Sequence, residues 1–491
     1  KKKTTPTTTH GAPKKNNRFD ELSVYGPIAG APNIFNVVNL DKSQKKTPKT
    51  GWHEQTQSFF YSLELGWKSQ LFVTTTGRND WASQLANSPQ KSFFYPSVGV
   101  SWLPSSTFNF PEKFNYLKIR ASWASVANPF PRELTIATHP YDDTISGWDD
   151  KSNYPIGQLY PERTKTWELG FDARFLNGFT LTASWYRADT YNQTFNPNLS
   201  ASSGYSDIYI QTGHVRNTGV EASLGYNHQW KNWNWNSQFT FSWNKNKIIE
   251  LCKEWYNPIT EETISMNRLQ ISKLGRAKFI LKEGGSMGDL YSTTDLRRDD
   301  KGNIEIDEGG NVVVEDNLPD MKLGSVFPDY NLAWRNSVSW KNLNLGFLVT
   351  ARIGGIVNSL TQANMDLFGV SEATAAARDA GGALVNGRSL VNPETWYTAI
   401  ASQGGIPQYY TYSATNVRLQ ELSLGYTIPR KWLHNVCSIT VSFVGRNLWM
   451  MYCKAPFDPE AVASTNNFYQ GMDYFMMPST RNLGFNINIK F

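Results

Sequence analysis

Three cysteines, Cys252, Cys437 and Cys453, are all that 491 residues contain, and no CxxC spacing occurs among them. An odd number without that spacing offers neither a zinc frame nor a disulfide scaffold. Cys437 and Cys453 flank one candidate strand, roughly 16 residues apart, too far to bridge if it is straight. The six histidines show no HExxH or close pair, and no phosphate-binding glycine loop follows a strand, so no catalytic constellation emerges. Long apolar runs are missing too. Nothing approaches 18 consecutive apolar residues, which excludes a helical membrane span but not a spanning sheet. The first residues lack the apolar centre of a signal peptide, so an exported protein with this sequence is expected to begin inside a longer precursor. Internal repeats of the solenoid or adhesin kind are absent as well.

A net basic surplus is missing outside one end. Residues 1–50 hold 10 Lys or Arg against 3 Asp or Glu, and the whole chain carries +6, so residues 51–491 sum to −1. That leaves no nucleic-acid-binding face in the body of the protein. Residues 1–54, rich in Lys, Thr and Pro at their start, are expected to be a flexible basic segment or an extracellular loop.

Aromatic residues are what the chain has in quantity. They make up 14% of it, with 18 Trp, at a mean hydropathy of −0.47. A membrane barrel combines these properties, because alternate residues face lipid and aromatic girdles lie at both interfaces. Alternation is explicit at 220–243. Val220, Ala222, Leu224 and Tyr226 interleave with Glu221, Ser223, Gly225 and Asn227, and after Lys231-Asn232 the pattern resumes through Trp233, Trp235, Phe239, Phe241 and Trp243. The dipeptide Asn177-Gly178 signals a hairpin, since both residues tolerate positive φ.

Thirteen strands are expected, near 55–68, 70–82, 92–103, 116–126, 163–176, 178–191, 216–230, 232–250, 326–341, 342–354, 415–428, 437–450 and 480–491. Tight turns near 69, 177, 231 and 341 alternate with long connections at 127–162, 192–215, 251–325, 355–414 and 451–479. Short periplasmic turns and long extracellular loops make that asymmetry in outer-membrane barrels. Leu483, Phe485, Ile487, Ile489 and Phe491 alternate with polar residues, and Phe491 is expected to serve as a barrel-assembly signal. Thirteen is odd and such barrels are even, so residues 55–491 read as the C-terminal part of a larger antiparallel transmembrane β-barrel.

Eight motifs now matter in their order. They are Thr75–Ser83 (TTGRNDWAS), Phe94–Trp102 (FYPSVGVSW), Leu117–Trp123 (LKIRASW), Pro161–Thr164, Val215–Glu221 (VRNTGVE), Arg418–Pro429, Gly445–Leu448 and Asp458–Glu460. Together they resemble the SusC-like (RagA/SusC) TonB-dependent outer-membrane transporters, although Ala127 stands where that family has Gly. The resemblance implies a barrel of about 22 strands, of which this chain would supply the last thirteen. It also implies a plug domain absent from this chain, energy from the TonB complex engaged through that plug, and a SusD-like surface lipoprotein as lid. The expected activity is import of a bulky nutrient, oligosaccharide or peptide, across the outer membrane, not enzymatic and needing no cofactor. A passive porin and a structural or adhesive barrel are the rival readings. Candidate contacts with substrate or lid are loop aromatics and a neighbouring carboxylate, namely Trp148, Asp149, Tyr409, Tyr410, Tyr412, Phe468, Tyr474 and Phe475. Asp458-Pro459-Glu460 reads as a loop brace. Asp299–Asn303 reads as a surface turn, since a calcium loop needs Glu where Gly310 stands.

Overall fold

Strands form here where apolar and polar side chains alternate, because a pleated chain points successive residues to opposite faces. The computed structural model describes every residue except 1–3, 133, 135–140, 143–146, 149–152, 155–158, 196–206, 212, 258–260, 435 and 465–468. One antiparallel sheet dominates. Its strands are β1 (Thr4–Gly11), β2 (Lys14–Leu22), β3 (Lys49–Trp67), β4 (Leu71–Ala82), β5 (Phe93–Trp102), β6 (Phe114–Asn128), β7 (Glu162–Phe175), β8 (Phe179–Tyr191), β9 (His214–Gln229), β10 (Trp233–Glu250), β11 (Tyr330–Trp340), β12 (Leu343–Ile353), β13 (Asn416–Thr427), β14 (Ser438–Cys453) and β15 (Asn482–Lys490). From β3 to β15 each strand pairs with the next, so the sheet is an up-and-down meander. A strand occupies each of the thirteen places marked by the alternation.

The expectation for residues 1–54 needs correcting. β1 and β2 lie end to end along β3, Thr4 opposite Trp67 and Leu22 opposite Lys49. They fill one further place in the wall, which among the described residues has fourteen places where thirteen were expected. Composition misled because this segment lacks an apolar face. Its threonines are nonetheless β-branched and suit a pleated strand. The interruption falls at Ala12-Pro13, where proline has no N–H for the ladder and its carbonyl accepts from Ser58 N at 3.0 Å instead. Among the described residues β1 and β2 do not pair with β15, so the sheet has two open edges.

The 176–178 turn also differs in detail from its sequence signal. Positive φ falls on Leu176 (50°) and Asn177 (52°), one residue early. Gly178 is needed for another reason: a Cβ there would lie 2.8 Å from the Asn227 carbonyl oxygen. Near this short-turn end the outward aromatics join into a row. Phe114 stacks on Phe175 at 6.3 Å, Phe175 on Phe179 at 5.6 Å, Phe179 meets Tyr226 at 4.6 Å, and Tyr226 meets Trp235 edge-on at 5.2 Å. This is the arrangement expected of an interfacial girdle.

At the opposite end the long connections fold on one another. Strands Arg268–Leu274, Ala277–Lys282, Asp289–Ser292 and Met321–Ser325 make a four-stranded sheet. The connection between β12 and β13 adds three helices, α1 (Leu360–Leu367), α2 (Glu372–Asp379) and α3 (Pro393–Ala401). Each starts on a side-chain cap, from Ser359, Ser371 and Asn392 in turn. Leu296, Ala363, Ile400, Ile406 and Tyr410 form one shared core of these loops. Phe279, Leu290, Val326, Leu360 and Met472 form another. The cap is thus a packed body with its own hydrophobic interior.

Candidate functional site: the polar wall and its cap

Residues opposite one another on neighbouring strands share a face. Across β6 to β8 one such face carries Arg120, Glu168, Asp172 and Thr182, and these side chains satisfy one another. Arg120 Nη1 donates to Asp172 at 2.8 Å, and its Nε lies 3.6 Å from Glu168. Thr182 donates to the other Asp172 oxygen at 2.9 Å. Further along, Gln238 donates to Ser223 at 3.0 Å. This face lines a cavity of about 770 Å³, bounded by Arg120, Glu168, Glu221, Thr240, Arg352 and Glu460 among others. A cavity with both charge signs and many hydroxyls can hold polar material through hydrogen bonds, beside apolar surface from Phe241, Leu332 and Ala351.

The cap is fastened to the rim of this wall. Asn246 Oδ1 on β10 accepts from Ser286 Oγ and from Met287 N, and Arg352 on β12 donates to the Val326 carbonyl at 2.9 Å. Behind them Val215 and Ile248 of the wall pack with Leu251, Leu269, Leu281 and Met287 of the cap.

Several motif residues brace this rim. Arg78 donates to Asp80 at 2.6 Å and to Ser58 at 2.9 Å, while Tyr95 OH also donates to Asp80. Asp189 collects Arg187, His214 and Arg216 within 2.9 Å. Arg418 reaches Asp458 through two nitrogens at 2.8 and 3.1 Å, both side chains being buried, with Glu460 at 3.5 Å. Burial alone would raise the Asp458 carboxyl. Hydrogen bonds from Arg418, Ser479 and the Glu460 backbone, with the Arg418 charge, outweigh it and hold the carboxyl below the ordinary range. The Asp458–Glu460 motif therefore fixes the 454–481 loop to β13, as a brace should.

A family model for "TonB dependent receptor-like, beta-barrel" matches residues 7–448. The chain belongs to that family. "TonB-dependent receptor P3" of Formosa agariphila is 26% identical over 96% of this chain and 50% of its own length. "TonB-dependent receptor SusC" of Bacteroides thetaiotaomicron is 22% identical over 76% of this chain and 38% of its own. The chain spans about half the length of the curated relatives it matches first. The structure of "the RagAB peptide importer in the 'closed-closed' state" superposes with a TM-score of 0.77 at 18% identity, covering 100% of this chain and 54% of that one. At that identity the likeness is one of fold. Seven of the eight motifs fall within the matched residues, and the geometry gives several of the eight a mechanical task at the rim.

Within this TonB-dependent receptor barrel the loop aromatics separate into three groups. Tyr410 is 2% exposed, and its hydroxyl donates to Asp366 at 3.0 Å. Its ring is sealed in the cap core and cannot stack on a ligand in this arrangement, which corrects its place among the contact candidates. Alternation could not reveal this, because the cap core is assembled from separate loops. Tyr409 lies edge-on to Trp396 at 5.9 Å and Tyr412 edge-on to Phe457 at 5.7 Å, so both rings join loops together. Burial pushes the Tyr412 hydroxyl up, with the Asp366 charge adding to it. Tyr474 and Phe475 are the open pair, edge to face at 5.2 Å and both exposed. Trp148 belongs to a short strand, Gly147–Trp148, paired with Tyr141–Asp142; its side chain, and the whole of Asp149 and Phe468, lie outside the described residues. Phe491 follows β15 with its ring exposed. Asp299 closes its own turn, accepting from Lys301 N at 2.9 Å and Asn303 N at 2.8 Å. The charged wall residues Arg120, Glu168, Glu221 and Arg352 were not among the sequence candidates, yet Glu221 and its neighbours stood on the polar side of the alternation.

Proposed function

We propose that this chain forms the C-terminal part of the barrel of an active outer-membrane importer that takes up a bulky polar nutrient, an oligosaccharide or a peptide. In this reading the short turns face the periplasm and the cap faces outward. The feature that carries the proposal is the 770 Å³ polar cavity on the inner wall beneath a folded cap, in a chain of the TonB-dependent receptor family. A passive pore has no use for so large a packed cap. The two open edges, β1 and β2 at one side and β15 at the other, are proposed to pair with further strands of the complete barrel. Unpaired backbone groups in hydrocarbon cost several kcal/mol each. A plug segment coupled to the TonB complex and a SusD-like lipoprotein above the cap complete the proposed assembly.

The test is uptake of labelled oligosaccharides and peptides by cells that carry or lack the coding region. Import that stops with a protonophore and needs TonB supports the proposal. Import that continues without the proton-motive force would favour the porin reading. Native purification in detergent, followed by identification of the co-purifying chains, checks the partners, and a folded chain recovered alone would contradict the assembly.

A further inference from the structure

A second cavity, of about 420 Å³, opens in the cap, away from the polar wall. Its lining includes Asp366, Phe368, Arg378, Asn392, Glu394 and Tyr397. Three helix ends frame it. α1 stops where Gly369 takes φ +66° and its N–H returns to the Asp366 carbonyl, and this leaves Phe368 turned outward and 74% exposed. α3 starts where Asn392 accepts from Glu394 N and Thr395 N. α2 contributes Thr374 and Arg378.

The carboxylate of Asp366 is the decisive group. It is 6% exposed, and its two oxygens accept from Gln362 Nε2 and Tyr410 OH, each at 3.0 Å. Both donors are neutral. Among the described residues no Lys, Arg or His nitrogen lies within 4.0 Å of it, whereas Asp289, Asp320 and Asp458 each have such a cation; Asp473, equally buried and also held by a neutral donor, Ser359 Oγ at 2.6 Å, does not line this cavity. Arg378 does not fill the role, for its Nη1 is held by the Gly369 carbonyl at 2.9 Å. The lining carries two carboxylates and one guanidinium, a net charge of −1. The C-terminal end of α1 adds partial negative charge from its last carbonyls. The N-terminal end of α3 has the opposite sign, but the Asn392 cap and Glu394 already occupy it. Phe368 and Tyr397 supply aromatic faces, which attract an organic cation through their quadrupoles. The volume lies within the range of small-ligand sites.

We propose that this cap pocket binds an organic cation, a primary ammonium such as a lysine side chain, with Asp366 as counter-ion and Phe368 and Tyr397 as its aromatic walls. Tyr410 and Gln362 act as positioning residues that hold the two carboxylate oxygens in place. The site does not depend on the transport reading and has its own readout.

The test uses the intact assembly containing this chain, purified in detergent, with calorimetric titration. The probes are Gly-Lys-Gly blocked at both ends, the same peptide acetylated on the lysine Nζ, and maltotriose. Saturable binding of the lysyl peptide is expected, at least tenfold tighter than that of the acetylated form or maltotriose. Asp366→Asn should weaken it at least tenfold. Phe368→Ala, at an exposed position whose loss leaves the melting temperature unchanged, should weaken it three- to tenfold. That second variant keeps the test informative if the first disturbs the cap. Equal affinity for the lysyl and acetyl-lysyl peptides, no saturable binding, or wild-type affinity in both variants would overturn the proposal.

Discussion

Arginine placed at Phe239 should prevent most of the barrel from assembling, whereas arginine at the adjacent Gln238 should be tolerated. Phe239 lies on β10 between Leu224 of β9 and Trp334 of β11, on the outward face. Its depth follows from the sheet. Trp235, in the aromatic row, is four residues away, about 14 Å along a strand that rises about 3.4 Å per residue. A tilt of about 40° reduces this to about 10 Å along the membrane normal, and the apolar band is about 25 Å tall. Phe239 therefore sits near the midplane, where an outward arginine costs about 2–4 kcal/mol. At 1.4 kcal/mol per tenfold, that is roughly 30- to 700-fold in the folding equilibrium. Trp243 lies another four residues on, near the far edge of the band, where the same substitution should cost about 0–1 kcal/mol. Gln238→Arg forfeits the hydrogen bond to Ser223, about 1 kcal/mol. The expected order of damage is Phe239→Arg well above Trp243→Arg and Gln238→Arg. It is read as the fraction of heat-modifiable protein in outer-membrane preparations, or by urea titration after refolding into vesicles. Equal loss at 238 and 239, or a larger loss at 243 than at 239, would refute the assignment of faces and depth.

Asp458→Asn should loosen the 454–481 loop by about 3 kcal/mol, the low end for a broken buried pair because Glu460 remains 3.5 Å from Arg418; limited proteolysis within that loop would report it, and unchanged cleavage would count against the brace. In the cap, Arg268 gives Asp320 hydrogen bonds at 2.6 and 2.8 Å and Lys282 lies at 3.0 Å, which together overcome partial burial and depress the carboxyl well below its ordinary value. A carboxyl depressed on folding stabilises fully above the unfolded value, about 4, and loses that contribution as pH falls through it toward the lower folded value. Asp320→Asn should therefore melt below wild type at pH 7, with a gap that narrows below about pH 4, and a gap independent of pH would rule the linkage out. Tyr410→Phe removes the donor to buried Asp366 and should cost about 1–3 kcal/mol of cap stability, whereas Tyr474→Ala at an exposed site should stay within about 0.5 kcal/mol. Thermal melts followed by proteolysis of the 354–415 segment would separate the two.

Period-two alternation was enough to place thirteen wall strands, since the pleat puts every second residue on one face whatever lies beyond the strand. It was also enough to mark Glu221, Ser223, Thr240 and Ser242 as the polar side that lines the cavity, and the spacing of turns and loops separated the two ends. Residues 4–22 escaped, because their strand character depends on the ladder offered by β3 and not on an apolar face of their own. The cap was beyond reach for a related reason. Its cores join Leu296, Ala363, Ile400 and Tyr410 from loops far apart in the chain, so Tyr410 looked like a surface plate until tertiary packing sealed it. The same packing left Asp366 buried beside neutral donors, an arrangement that no local pattern encodes. Local periodicity decides which face a wall residue takes; burial in the cap is decided only by which distant loops meet.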